Sequence, residues 1–201
     1  LNEVGGEPGR FGVSVSAFHH LNAGRRRRWP HAMLATATHD TKRGEDVRAR
    51  VSVLSEIPDE WRGHLFRWSR TNRSRRREVE GRPAPDRNDE YLLYQTLLGT
   101  WPNHEMDEGE LEEYAGRIRR YLQKAMREAQ VHTSWVNVNE EYERAALDFA
   151  SALLDPENTL FLEDFIPFAR RVSRLGALNG LSQTLLKLTS PGVPDVYQGT
   201  E

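Results

Sequence analysis

Cysteine is absent from this chain. Its absence excludes disulfides, thiolate nucleophiles and Cys-ligated metal sites. No apolar run approaches the roughly 18 residues of a membrane-spanning helix, so no membrane partner is expected. Charge of one sign is not in excess either: 28 Lys and Arg stand against 30 Asp and Glu, a formal net charge of -2. Global charge therefore gives no pull toward nucleic acid or an anionic membrane. Apolar residues are sparse, 37% of 201, which is low for a compact globule but above the disordered range. The length suffices for one good core, or for one large and one small unit. His19, His20, His31, His39, His64, His104 and His132 show no metal-ligand spacing, and neither metal nor cofactor is expected. Gly5, Gly6, Gly9 and Gly12 read as loop and make no phosphate cradle, since no lysine follows. Leu1 is not an initiator methionine, and Gly199-Thr200-Glu201 does not read as a tail. Both ends are expected to lie inside a longer chain.

Helical periodicity fills most of what is present. Phe18 and Leu21 predict a short helix within 13–28, capped by Ser14 or Ser16. Val47, Val51 and Leu54 predict one over 43–55, and Pro58 opens another with Trp61, Leu65 and Trp68 on one face. Residues 70–88 read as a charged, turn-rich linker, and 89–98 as helix. The clearest helix is 107–130, with acids in its first turns and bases later, as the helix dipole favours. Helices over 140–154 and 159–170 follow, the latter with a break or kink expected at Pro167. The stretch 171–188 is more apolar and is expected to be well buried. Only two strands are predicted, over 31–37 and 193–197, far apart in sequence. Such a pair fits neighbouring strands of a parallel sheet with an oversized helical insertion between them.

The chemistry-bearing run is Thr38-His39-Asp40-Thr41-Lys42-Arg43, directly after the first strand. Barrel enzymes keep their catalytic groups at such strand ends. Asp40 or Thr41 also suits a helix cap, and both readings stand on spacing alone. Glycoside chemistry needs two carboxylates, and spacing pairs none with Asp40. The arginines at 25–28 and 73–77 raise a nucleic-acid reading, with Trp29 as a stacking residue. No recognition motif accompanies them, so a solvated face is the better reading and no nucleic-acid partner is expected. Tyr91, Trp101, Trp135 and Tyr142 suit sugar stacking, although aromatics at helical spacing more often form core.

Several long runs carry a resemblance. They are LNEVGGEPGRFG (1–12), WPHAMLATATHDTKRGEDVRAR (29–50), VLSEIPDEW (53–61), HTSW (132–135) and TSPGVPDVYQGTE (189–201). The sequence strongly resembles the malto-oligosyltrehalose synthases, within the alpha-amylase-like glycoside family. That resemblance implies a (β/α)8 TIM barrel, of which this mainly α segment supplies the seventh and eighth strands and a large helical insertion. The implied division is a barrel segment over 1–55, the insertion over 56–170 and a second barrel segment over 171–201. Asp40 would stabilise an oxocarbenium-like transition state. His39 would hold sugar hydroxyls, with Lys42 and Arg43 close to the same cleft. Nothing in the sequence matches the family's nucleophilic aspartate or acid/base glutamate. The implied reaction converts the reducing-end α-1,4 bond of a maltodextrin to an α,α-1,1 bond by intramolecular transglucosylation, with the isolated segment inactive. The insertion is expected to close the reducing-end side of the cleft, with Tyr91, Trp101 and Trp135 as wall residues. The expected partners are maltodextrin, the remainder of the same polypeptide and, through the apolar faces of 31–37 and 171–188, a second copy of the segment. A cytoplasmic location is expected. A non-catalytic helical module that binds carbohydrate or a partner is the alternative.

Overall fold

The structure, a computed structural model, describes residues 12–197. The expectations for Leu1 to Phe11 and for Gln198 to Glu201, including the loop after the eighth strand, lie outside the described residues. The chain divides into two compact units. One comprises residues up to Arg50 together with those from Leu175 onward; the other is Val51–Arg174.

In the first unit, α1 (Val15–Arg28) is capped by Ser14, whose Oγ accepts from the Ala17 amide at 3.2 Å. Arg25 to Arg28 fall in its last turn, where the helix dipole favours cations. Strand β1 (Met33–Leu34) pairs in parallel with β4 (Val193–Pro194), Met33 opposite Val193 and Leu34 opposite Pro194. Both expected strands exist, but each is two residues long. Ala35 and Ala37 are poor strand formers, and among the described residues the sheet has only these two strands, with no barrel closure. Gly192 is required here. Its φ is +139°, and a Cβ would fall 2.6 Å from the Ala32 carbonyl oxygen. Helix α2 (Glu45–Val53) meets the later part of α7 (Thr159–Thr189) so closely that a Cβ on Gly176 would lie 2.6 Å from Arg50 Cγ.

The second unit is built around aromatics. Trp68 of α3 (Pro58–Thr71) is 1% exposed and has Trp61, His64, Tyr94, Phe161, Phe165 and Phe168 around its ring. Burying each such ring contributes about 1.5–3 kcal/mol, and the edge-on contacts add to that. The Trp68 indole N–H is satisfied by Asp164 Oδ2 at 2.6 Å, which also pairs with His64 Nδ1 at 2.7 Å. Burial alone would raise the Asp164 pKa; hydrogen bonds from His64 and Trp68 outweigh it and hold the carboxyl low. Helices α4 (Arg87–Thr100), α5 (Glu108–Ala129) and α6 (Glu140–Leu153) complete the bundle. The N-terminus of α5 carries a full capping box, Asp107 with Glu110.

Three expectations change. The linker at 70–88 is ordered: a short 3-10 turn at Arg73–Arg75 precedes a hairpin of β2 (Arg77–Val79) and β3 (Arg82–Ala84). Its tight turn is Glu80-Gly81, both at positive φ, a conformation glycine supplies without strain. Pro167 does not divide the chain, because α7 runs unbroken through it, with Phe165 and Phe168 buried on either side. Core packing outweighs the lost backbone hydrogen bond. The leucines of the late α7 are not well buried: Leu178, Leu181, Leu185 and Leu188 are all more than half exposed.

Candidate functional site

The run after β1 forms a self-bonded turn. The Thr38 amide donates to Thr41 Oγ1 at 2.9 Å, the Thr41 amide to the Thr38 carbonyl at 3.0 Å, and the Asp40 amide to Thr38 Oγ1 at 3.3 Å. Neither Asp40 nor Thr41 lies next to the first residue of α2, Glu45, so the turn's polar groups are spent on the turn itself. His39 and Asp40 project outward with side chains 78% and 51% exposed, His39 Nε2 standing 3.3 Å from Asp40 Oδ2. Lys42 is exposed and Arg43 half-buried. The first unit thus presents an acid, an imidazole and two cations from one short loop at the carboxyl end of a parallel strand, where barrel chemistry belongs.

The aromatic candidates all lie in the second unit, and the structure does not gather them. Tyr91 is 38% exposed, its hydroxyl accepting from Trp61 Nε1 at 3.2 Å. Trp101 is only 5% exposed and packs edge-on against Tyr114 and Phe165. Such a ring is core and offers a sugar no face. Trp135 is exposed, with the Arg127 guanidinium 5.0 Å from its ring centre. Tyr142, weighed as a stacking residue, is instead buried against His132 at 4.3 Å.

Tyr91 borders a cleft of about 980 Å3 that spacing did not disclose. Phe66, Arg73, Arg82, Asp86 and His132 also line it. At one side Asp86, Asp89 and His132 place a ligand-type atom each within 4.8 Å of one another. Hydrogen bonds explain that closeness: His132 Nε2 meets Asp86 Oδ2 at 2.8 Å, and the Tyr142 hydroxyl donates to Asp89 Oδ2 at 2.6 Å. Burial raises the Asp89 pKa despite the Tyr142 bond. At Asp86 burial also acts upward, but the Asp89 amide and His132 prevail and lower it. The only signal in the sequence was the HTSW run, whose His132 and Thr133 both bond across the unit, Thr133 to Glu143 at 2.6 Å.

A parallel strand pair drawn from opposite ends of the sequence, with an acid and a histidine just beyond the first strand, is consistent with part of a larger barrel. Comparison carries this further. Over its whole length the chain is 41% identical to the "Putative maltooligosyl trehalose synthase" of Mycobacterium tuberculosis, of which it covers 24%. The solved "hypothetical maltooligosyl trehalose synthase" of Sulfolobus tokodaii superposes on 98% of the chain with a TM-score of 0.80 and 38% identity, the match covering 25% of that chain. The maltooligosyltrehalose synthase from Arthrobacter ramosus gives a TM-score of 0.79 at 34% identity, over 98% of this chain and 23% of its own. No family model matches. By sequence and by structure the chain is homologous to the malto-oligosyltrehalose synthase family, and it spans about a quarter of the length of the relatives it matches.

Proposed function

We propose that this chain is the region of a malto-oligosyltrehalose synthase that supplies the seventh and eighth barrel strands and a helical insertion. The full-length polypeptide then converts the reducing-end α-1,4 bond of a maltodextrin to an α,α-1,1 bond by intramolecular transglucosylation. Asp40 faces the charge that develops at the anomeric carbon as the glycosidic bond breaks, and fixed carboxylates stabilise such charge best where water is excluded. His39 donates to a hydroxyl of the same sugar, and Lys42 and Arg43 hold its neighbours. A covalent glycosyl-enzyme formed and resolved in two displacements retains the anomeric configuration. The nucleophile and the acid/base carboxyl come from elsewhere in the full polypeptide. In the helical unit, Tyr91 and Trp135 keep exposed ring surface for sugar stacking; Trp101 does not.

Replacing Asp40 tests the reading. In the full-length synthase, D40N lowers the rate of trehalose-ended product formation by on the order of 10²–10³, as loss of a transition-state electrostatic group does. Undiminished turnover by D40N would sink the assignment. This chain alone, incubated with maltohexaose, gives no trehalose-ended product; any such product would show that it carries a complete site.

The alternative reading, a helical carbohydrate-binding module, draws on the compactness of Val51–Arg174 and its cleft. It predicts that the chain retains maltodextrin on an affinity gel and that Y91A weakens the retention.

A further inference from the structure

Lys187 is a cation of the first unit that the site reading leaves unused, and it is almost entirely enclosed. Its side chain is 4% exposed and lies in the last turn of α7. An ammonium carries three protons, and each has an acceptor here. Nζ donates to Thr36 Oγ1 at 3.2 Å, to Glu45 Oε1 at 3.3 Å and to the Asp195 carbonyl at 3.1 Å.

The location of those acceptors gives the lysine its meaning. Thr36 precedes the His39-Asp40 turn and Glu45 follows it, so both ends of that loop close on one atom. Asp195 directly follows β4, and its amide donates to the Leu34 carbonyl at 2.9 Å. The exits of both strands and the start of α2 therefore share a single buried charge. Arg48 adds a hydrogen bond to the Thr36 carbonyl from the α2 side. Within the exposed part of the loop, hydrogen bonds join Thr38 to Asp40 and to Thr41. Its ends need an outside anchor if Asp40 is to hold one place, since misplacement by an ångström costs catalytic groups dearly.

The geometry points to Lys187 as a positioning residue. It acts through Thr36, Glu45 and Asp195 to fix the loop that carries His39 and Asp40, and touches no substrate itself. Its effect on turnover rests on the synthase reading above; its effect on the loop does not.

Amide exchange on this chain reads the loop directly. K187M raises exchange across residues 38–43 by about tenfold or more while α4, α5 and α6 keep their protection. K187R, which keeps the charge and several donors, recovers part of the loss. Unchanged loop exchange, or a uniform rise over the whole chain, would overturn the assignment. Should K187M fail to fold, T36V and E45A each remove one acceptor and must loosen the same six residues. In the full-length synthase, K187M lowers kcat by about tenfold with KM little changed, the split expected when a transition-state group is misplaced and binding survives. If D40N leaves turnover intact, the synthase reading of Asp40 fails, and the exchange result alone then judges Lys187.

Discussion

Glu143 shows how single residues are set by partners remote in sequence. It accepts from Arg127 Nε and Nη2 at 2.8 Å, from Thr133 Oγ1 at 2.6 Å and from Gln123 Nε2 at 2.9 Å. The Arg127 bonds, aided by Thr133 and Gln123, outweigh burial and lower its pKa from 4.5 to about 2. Folding thus favours the ionised form. The stability this adds is complete above the ordinary value of 4.5 and is lost as pH falls toward about 2. Thermal melts of the chain should therefore drop more steeply between pH 4.5 and 2 than melts of E143Q, which has no such proton to take up. Equal slopes would show that Glu143 is not a source of acid lability. At this scale the sequence was a mixed guide. His39 and Asp40 stand out by type and place. The fates of Trp101 and Tyr91 did not, because helical spacing makes both look alike and only neighbouring helices decide which ring is covered.

Backbone chemistry governs the elements. Pro167 sits in the interior of α7, far past the first turn where proline is tolerated, and its ring faces solvent. P167A restores the hydrogen bond toward the Glu163 carbonyl without opening a cavity, and should stabilise the chain by about 1–3 kcal/mol in denaturant unfolding. Gly192 predicts the opposite sign. A methyl group there meets the Ala32 carbonyl and Leu34 Cγ, the latter at 2.7 Å, so G192A must distort the β1–β4 pairing. A loss of about 1–3 kcal/mol is expected, together with faster amide exchange at Val193 and Asp195. The hairpin at 77–84 was hidden because its strands are three residues long and rich in arginine, with no apolar alternation to betray them. Its Glu-Gly turn was the one available sign.

At the scale of the molecule, apolar surface is left open. Leu181 and Leu185 are 68% and 62% exposed, and Met33, Val193 and Val196 add to the apolar surface of the same unit. Exposed apolar patches of this kind drive association. Sedimentation of the chain should show concentration-dependent oligomers, and L181E with L185E should shift them toward monomer. A monomeric wild type over the micromolar range would contradict this. No helix among the described residues is long and apolar enough to cross a membrane, so these leucines are not a membrane span.

Helical content, the main helix starts, the two parallel strands and the acid–histidine loop were all legible in the sequence. Each depends on local spacing, caps and turn residues, which neighbours in the chain specify. Tertiary structure alone decided the register of β1 against β4, the continuity of α7 through Pro167, the cleft beside Tyr91 and the closing of three elements on Lys187. Those outcomes depend on groups far apart in sequence, where packing and shared hydrogen bonds override what any short window prefers.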